Sequence, residues 1–274
     1  MSDRNIKLTV AYDGTDFLGW QLQKKGRTVQ GVMQDGLGRM HGHPVHVLAA
    51  GRTDSGVHAT GQVVNFHTDI DSISPERFRD AVNAYLPKDI RVLASEEVEP
   101  RFHARRSARL RLYRYYIVNG PVLLPHLRNY RHWVRRPLDM KRLNGMASVL
   151  VGEHDFSCFS AEGDANVSKV RRVLVSSFHA EGDTLIYTVA ATSFLWKMVR
   201  TVMGTFLMLE EQGLGAADLG RIIESGYRAN AGATAPAHGL FLERVFYEEI
   251  DGIHTASVEG AEPGSGLPEH GLFP

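Results

Sequence analysis

The order of hydrophobic patterns limits what this chain can fold into more than any other feature, because one order runs twice: strand, helix, strand, strand, helix, strand. Ile6 to Tyr12 alternates apolar and polar residues as a half-buried strand does, and Asp13-Gly14 ends it as a turn. Val29, Met33, Leu37 and Met40 then recur at helical spacing. Val45 to Ala49 and Gln62 to Thr68 read as strands. Pro75 opens a second helix with Phe78, Val82 and Leu86 on one side, and Ile90 to Val98 closes the set. The second set begins with Arg111 to Val118, an extended run dense in aromatics, and Leu138 to Val151 follows as a helix. Val170 to His179 and Leu185 to Ala191 form a hairpin around Glu181-Gly182-Asp183. Leu195 to Leu209 carries an apolar stripe of Leu195, Val199, Val202, Phe206 and Leu209, the strongest helical signal in the chain. Ala216 to Ile223 reads as a short extra helix and Leu242 to Glu248 as the last strand.

Each β-α-β-β-α-β set predicts a split βαβ unit with an antiparallel sheet, an arrangement that RNA-recognition modules also use. The expected fold class is α/β in the α+β sense. Two such halves, 1–106 and 107–250, would meet at a central cleft, and interfaces of that kind often hold sites. After Ile250 the chain turns to Gly, Pro, Glu and Ser, so 251–274 is expected to be a flexible acidic tail. Cys158 is the only cysteine, which leaves no intramolecular disulfide and no multi-cysteine metal site and suits a cytoplasmic protein. No run approaches the roughly 18 apolar residues of a membrane span, and the opening MSDRNIKLTVAYDG does not read as a secretory signal or an anchor.

The formal net charge is zero, yet the charge is unevenly spread. From Arg101 to Arg142 there are twelve Lys or Arg residues against the single acidic Asp139, a local charge of +11. From Glu248 to Pro274 there are six acidic residues and no Lys or Arg. A basic stretch of this density attracts phosphate and makes binding salt-dependent, unless the fold supplies counter-charges.

The densest chemistry lies in Gly51-Arg52-Thr53-Asp54-Ser55-Gly56-Val57-His58-Ala59, between two expected strands. A cation, two hydroxyls, a carboxylate and an imidazole share one glycine-framed loop. Such a loop is a stiff mount for a reactive group. It is not a Walker phosphate loop, since no Lys-Ser or Lys-Thr follows Gly56, and the G-x-G-x-x-G spacing of a dinucleotide site is absent. Residue types alone leave Asp54 open as nucleophile, general base, metal ligand or Asx-turn residue. His58 reads as a packed histidine and Cys158 as a small buried residue.

GRTDSGVHATGQVVNF at 51–66 resembles the catalytic signature of the tRNA pseudouridine synthase A family. The resemblance continues in family order through YDGTDFLGWQ at 12–21, FHAR at 102–105, RLYRYYIVNG at 111–120, HDFSCFS at 154–160, SFLWKMVRTVMG at 193–204 and APAHGLFLERVFY at 235–247. It covers nearly the whole chain apart from the far C-terminal tail. One departure is Trp196-Lys197, where the family often has Tyr followed by His or Gln.

The resemblance implies a pseudouridine-synthase-like fold and a cofactor-free isomerisation of uridine at positions 38 to 40 of the tRNA anticodon stem-loop. It implies a homodimer in which one subunit positions the tRNA for the other. Asp54 falls on the family's catalytic aspartate, which acts as nucleophile toward the sugar C1′ or the uracil C6, or draws a proton from the sugar. Each role needs an ionised carboxylate, which a nearby cation would secure. Arg200 matches the active-site arginine that pairs with the aspartate, and Tyr113 the tyrosine that stacks on the uracil and assists loss of its C5 proton. Arg52 matches the arginine that helps displace the flipped nucleotide, and Leu240 a wall of the uracil pocket. The basic Arg101 to Arg142 segment is expected to dock the body of the tRNA.

Two rival readings follow from the residues themselves. An RNA-binding protein without chemistry would suit the repeated α/β pattern and the basic segment, but gains nothing from a carboxylate aimed at phosphate-rich RNA. A metal-dependent RNA hydrolase needs clustered Asp, Glu or His ligands, and this motif offers one carboxylate and one histidine.

Overall fold

The structure, a computed structural model, describes residues 4–248. Those residues divide into two compact units: one runs through Arg109 and takes in the chain from Leu242, and the other is Leu110–Phe241. The segment from Leu242, expected with the second half, is thus grouped with the first. The proposed tail at 251–274 lies outside the described residues. No helix among the described residues is long and apolar enough to cross a membrane.

In the first unit the elements run β1 (Arg4–Tyr12), α1 (Val29–His41), β2 (Leu48–Ala49), β3 (His58–Thr68), α2 (Phe78–Asn83) and β4 (Ile90–Val98). This is the expected β-α-β-β-α-β order. β1 pairs antiparallel with β3 and with β4, and β2 pairs antiparallel with β3. Ile6, Leu8 and Val10 alternate into a core that also holds Val29, Met33 and Leu37 of α1 and Phe78 and Val82 of α2. Each such side chain contributes about 1.5–3 kcal/mol by leaving water. Thr28 caps α1 by accepting from the Gly31 N–H. Two buried asparagines form one polar cluster within this core. Asn65 donates to the Asn5 side chain and accepts from the Ala104 N–H, while Asn5 donates to the carbonyls of Glu99 and Phe102, so the FHAR stretch is tied to the sheet.

β2 is shorter than the Val45 to Ala49 expected. Val45 and Val47 are buried as the pattern required, but the Val47 backbone bonds to Gln34 and Gln30 of α1 instead of to a strand. The second helix is also shorter. Pro75–Arg77 forms a 3-10 turn, and only six residues are α-helical, with Leu86 buried beyond them.

The second unit contains β5 (Leu110–Asn119), β6 (His132–Val134), α3 (Met140–Val149), β7 (Gly152–Asp155), β8 (Val170–Glu181), β9 (Thr184–Ala191), α4 (Met198–Glu211) and α5 (Ala216–Ser225). The strand order is β5-β9-β8-β7, antiparallel throughout, and the short β6 lies parallel to β5. β6 and β7 have no alternating signature in the sequence. β10 (Leu240–Phe246) follows, and its portion from Leu242 pairs with β3 of the first unit. There the Thr60 hydroxyl donates to the Glu243 carboxylate at 2.8 Å.

α4 starts three residues later than its apolar stripe implied. Leu195 is buried, yet Lys197 takes a left-handed conformation with φ 61°, and the helix begins only after it. Phe206 of α4 packs on Tyr187 and Phe178 at ring distances of 5.3 and 5.6 Å. On another side the Thr205 hydroxyl accepts from the Gly232 N–H, fixing the 231–235 segment against the helix.

Candidate active site

The loop from Gly51 to Val57 is held by backbone contacts to the segment that follows β1. The Thr53 carbonyl accepts the Trp20 N–H at 3.0 Å, and the Phe17 carbonyl accepts the Gly56 N–H at 3.3 Å and the Ser55 hydroxyl at 3.2 Å. The Tyr12 and Thr53 hydroxyls meet at 2.8 Å. Gln62 donates to the Gly51 carbonyl, and the Val57 N–H closes a turn onto the Asp54 carbonyl. Two glycines make this approach possible. A Cβ on Gly14 would lie 2.1 Å from the Val57 carbonyl oxygen, and one on Gly19, whose φ is +93°, would lie 2.7 Å from the Thr53 oxygen and 3.0 Å from the Asp54 carbonyl carbon. Asp54 therefore sits half-buried on a backbone fixed from both sides, while Arg52 is exposed.

His58 is buried at the end of this loop. Its Nδ1 lies 3.0 Å from the Gly14 nitrogen and 3.2 Å from Asp13 Oδ1, so the ring ties the strap formed by residues 12–20 to β3. Cys158 is fully buried in the second unit, and burial pushes its thiol up to about 12, which leaves it unreactive. Among the described residues no group of three or more His, Cys, Asp or Glu gathers as a metal site would require.

Tyr113, Arg200 and Leu240 belong to the second unit. Alternation along β5 puts Tyr113 and Tyr115 on one face, and their surroundings separate them. Tyr115 is wholly buried and its hydroxyl donates to the Pro236 carbonyl at 2.9 Å, so that phenol is committed to the fold. Burial raises its pKa, with Arg200 acting in the opposite sense. Tyr113 keeps a small exposed edge and meets Phe194 edge-on at 5.1 Å. Arg200, the third residue of α4, is half-buried; its Nε donates to the Ala235 carbonyl at 2.8 Å and its own carbonyl accepts the Ala235 N–H at 3.0 Å. Lys197 Nζ lies over the Trp196 ring at 5.0 Å. Leu240 is buried at the start of β10.

Two histidines escaped the reading of the sequence. His132 on β6 stacks edge-on with Tyr115 and with His238, both at 6.2 Å. Burial pushes the His132 pKa down to about 4, helped by His238; the His238 pKa is lowered too, by burial first, with the Arg131 backbone opposing and Arg200 assisting. Both imidazoles are thus kept neutral, His238 in the field of Arg200. No sequence spacing signals this, since β6 lies beside β5 and the Ala237–Gly239 turn packs on that same strand.

The basic stretch divides on folding. Arg111 and Arg114 are buried, Arg136 is ion-paired with the buried Glu210 carboxylate, and Arg131 lies over the Tyr116 ring at 4.0 Å. Arg101, Arg105, Arg106 and Arg109 are exposed in the first unit, and Arg128, Arg135 and Lys141 in the second.

A family model described as tRNA pseudouridine synthase matches residues 8–105 and 146–248. The tRNA pseudouridine synthase A of Treponema denticola is 47% identical over 253 residues, covering 90% of this chain and 94% of that protein. The tRNA pseudouridine synthase A of Exiguobacterium sp. is 40% identical over 248 residues, covering 90% of this chain and all of that protein. That of Halalkalibacterium halodurans is 42% identical over 242 residues, covering 88% and 92%.

The packing around Asp54 leads to a stability prediction. Gly14→Ala is expected to lower unfolding free energy by about 1–3 kcal/mol, because the new methyl meets rigid backbone. Gly145→Ala in α3, where the Cβ meets nothing within 4 Å, should be neutral or stabilising by up to about 1 kcal/mol. Urea unfolding of both variants checks this, and equal stability of the two would refute the close-approach argument.

Proposed function

The chain belongs to the tRNA pseudouridine synthase A family, and from that premise we propose that it acts at positions 38 to 40 of the tRNA anticodon stem-loop with Asp54 as its catalytic carboxylate. Membership makes it an isomerase that converts uridine to pseudouridine in tRNA. In that reaction the N1–C1′ bond breaks and a C5–C1′ bond forms. The C5 proton is lost and N1 gains one, so atoms and oxidation state balance and no redox partner is needed. The observation that carries the reading is the backbone lock on either side of Asp54, because a group that attacks or deprotonates a flipped nucleoside must be held within a fraction of an ångström.

In this reading Asp54 acts on the ribose or uracil, Tyr113 stacks on the uracil and assists loss of the C5 proton, and Arg200 supplies the cation that pairs with the carboxylate. The exposed Arg52 helps keep the target nucleotide out of its stack, which offsets a cost of roughly a few kcal/mol. Leu240 contributes an apolar wall for the base. The enzyme works without a cofactor, as a cytoplasmic homodimer; family resemblance supports these three points.

Pseudouridine mapping tests the substrate position. Purified protein and an unmodified tRNA carrying uridines at 38, 39 and 40 should yield product in that segment alone, and a tRNA with cytidines there should yield none. Product mapped to another arm would overturn the assignment.

The divided arginines give a second expectation. Replacing Arg128 and Arg135 by Gln should weaken tRNA binding and reduce the slope of log K against log salt by about 0.7–0.9 for each phosphate no longer neutralised. Arg136→Gln should instead act on stability, by roughly 3–5 kcal/mol, because it leaves the buried Glu210 carboxylate without its ion partner. Filter binding across a salt series and thermal unfolding separate the two effects. An unchanged salt slope for the Arg128 and Arg135 variant would mean that these arginines do not meet tRNA.

A further inference from the structure

Arg200 enters α4 through a turn that backbone sterics oppose. Lys197, with φ 61°, is the only non-glycine residue at positive φ among the described residues. An L side chain keeps that conformation only where its surroundings impose it. As the N-cap of α4 it also lacks the extended backbone and side-chain acceptor that usually begin a helix.

The imposing contacts come from the loop after Phe159. The Trp196 N–H donates to Asp164 Oδ2 at 2.7 Å, and the Trp196 carbonyl accepts the Ala161 N–H at 3.1 Å, so both backbone groups of the residue before the strained turn are occupied. The Asp164 side chain is only 1% exposed. Its Oδ1 accepts the Asn166 N–H at 2.8 Å and the Asn166 side-chain amide at 2.6 Å, with Lys169 Nζ 3.3 Å away. Lys169 also donates to the Asp164 carbonyl at 2.9 Å, and the Asp164 N–H to the Ala161 carbonyl at 3.1 Å. Burial alone would raise the pKa of this carboxyl; the amides of Asn166 and Trp196, the Asn166 side chain and Lys169 outweigh it and hold the group below the usual carboxylate range. On its other side Arg200 is gripped by Ala235, through its carbonyl and its Nε. Its guanidinium is therefore aimed by two brackets, one at Trp196 and one at Ala235.

We propose that Asp164 is a positioning residue for the isomerisation: its carboxylate fixes Trp196, keeps Lys197 in the left-handed turn, and so sets the start of α4 that aims Arg200. This rests on the assignment of Arg200 made above. Asp164 itself touches no reacting atom. Its effect is transmitted through four residues of backbone, Trp196 through Val199, to Arg200 in the first turn of the helix.

Single-turnover measurements at saturating tRNA test the proposal, with Asp164→Ala, Asp164→Asn, Arg200→Ala and the double variant Asp164→Ala/Arg200→Ala. Asp164→Ala should slow conversion by roughly 10²-fold, the scale expected when a reacting group is misplaced by about an ångström, with tRNA affinity little changed. Asp164→Asn keeps one acceptor for the Trp196 N–H and should retain more of the rate. In the Arg200→Ala background the Asp164→Ala change should cost nothing further, since there is no longer a guanidinium to aim. An equal fold-loss in both backgrounds would show that the loop only supports the fold, and a wild-type rate for Asp164→Ala would likewise overturn the proposal. If Asp164→Ala does not fold, Asp164→Asn carries the same comparison in both backgrounds. A near-normal rate for Arg200→Ala alone would be a different failure, that of the Arg200 assignment.

Discussion

The contact between the strap at 12–20 and the loop at 51–57 is the constraint on which the proposed chemistry depends. Backbone meets backbone there at distances that admit no side chain at Gly14 or Gly19. The hydrogen bonds from Trp20, Ser55 and Gly56 cross the same boundary. An Asp on an unsupported loop would lose conformational freedom each time it reacted. Here that entropy is lost on folding, when the strap closes, and the carboxylate is already placed when substrate arrives.

The second unit reaches the same end with more than glycine packing. A Cβ on Gly204 of α4 would lie 1.7 Å from the Ala233 carbonyl oxygen and one on Gly232 2.6 Å from that of Gly204, so backbone also meets backbone beside Arg200. A buried carboxylate on a neighbouring loop and a returning segment at Ala235 fix the first turn of α4, at the expense of one strained residue. Strain of this sort persists where surrounding contacts over-determine it. The neutral pair His132 and His238 belongs to the same logic. Protonating His238 would place a second positive charge near Arg200, and burial works against that.

What the sequence revealed followed from periodicity. β4 spans Ile90–Val98 as expected, and the hairpin of β8 and β9 turns at Gly182. What it hid depended on partners far away along the chain. The apolar residues Val45 and Val47 are buried as expected, yet no pattern could show that Gln30 and Gln34 would take the Val47 backbone away from the sheet. The stripe from Leu195 placed the core face of α4 correctly but not its start, which is set by Asp164 some thirty residues earlier. Charge was the least legible quantity. Twelve cations in one stretch looked like a single docking surface, whereas Arg111 and Arg114 enter the core and Arg136 answers Glu210. Asp54 was singled out because its loop resembles a family signature; the reason that loop is rigid lies about forty residues before it.

The most direct test of the central claim is release of tritium from C5 of uridine in an unmodified tRNA, followed in a single turnover with excess enzyme and a chelator present, for the wild-type chain and Asp54→Asn. Asparagine keeps the shape of the side chain and removes its charge. The wild type should release tritium, and an Asp54→Asn protein that still binds the tRNA should release none above background. Release from the purified, folded variant at a rate comparable with wild type would contradict the assignment of Asp54 as the catalytic carboxylate.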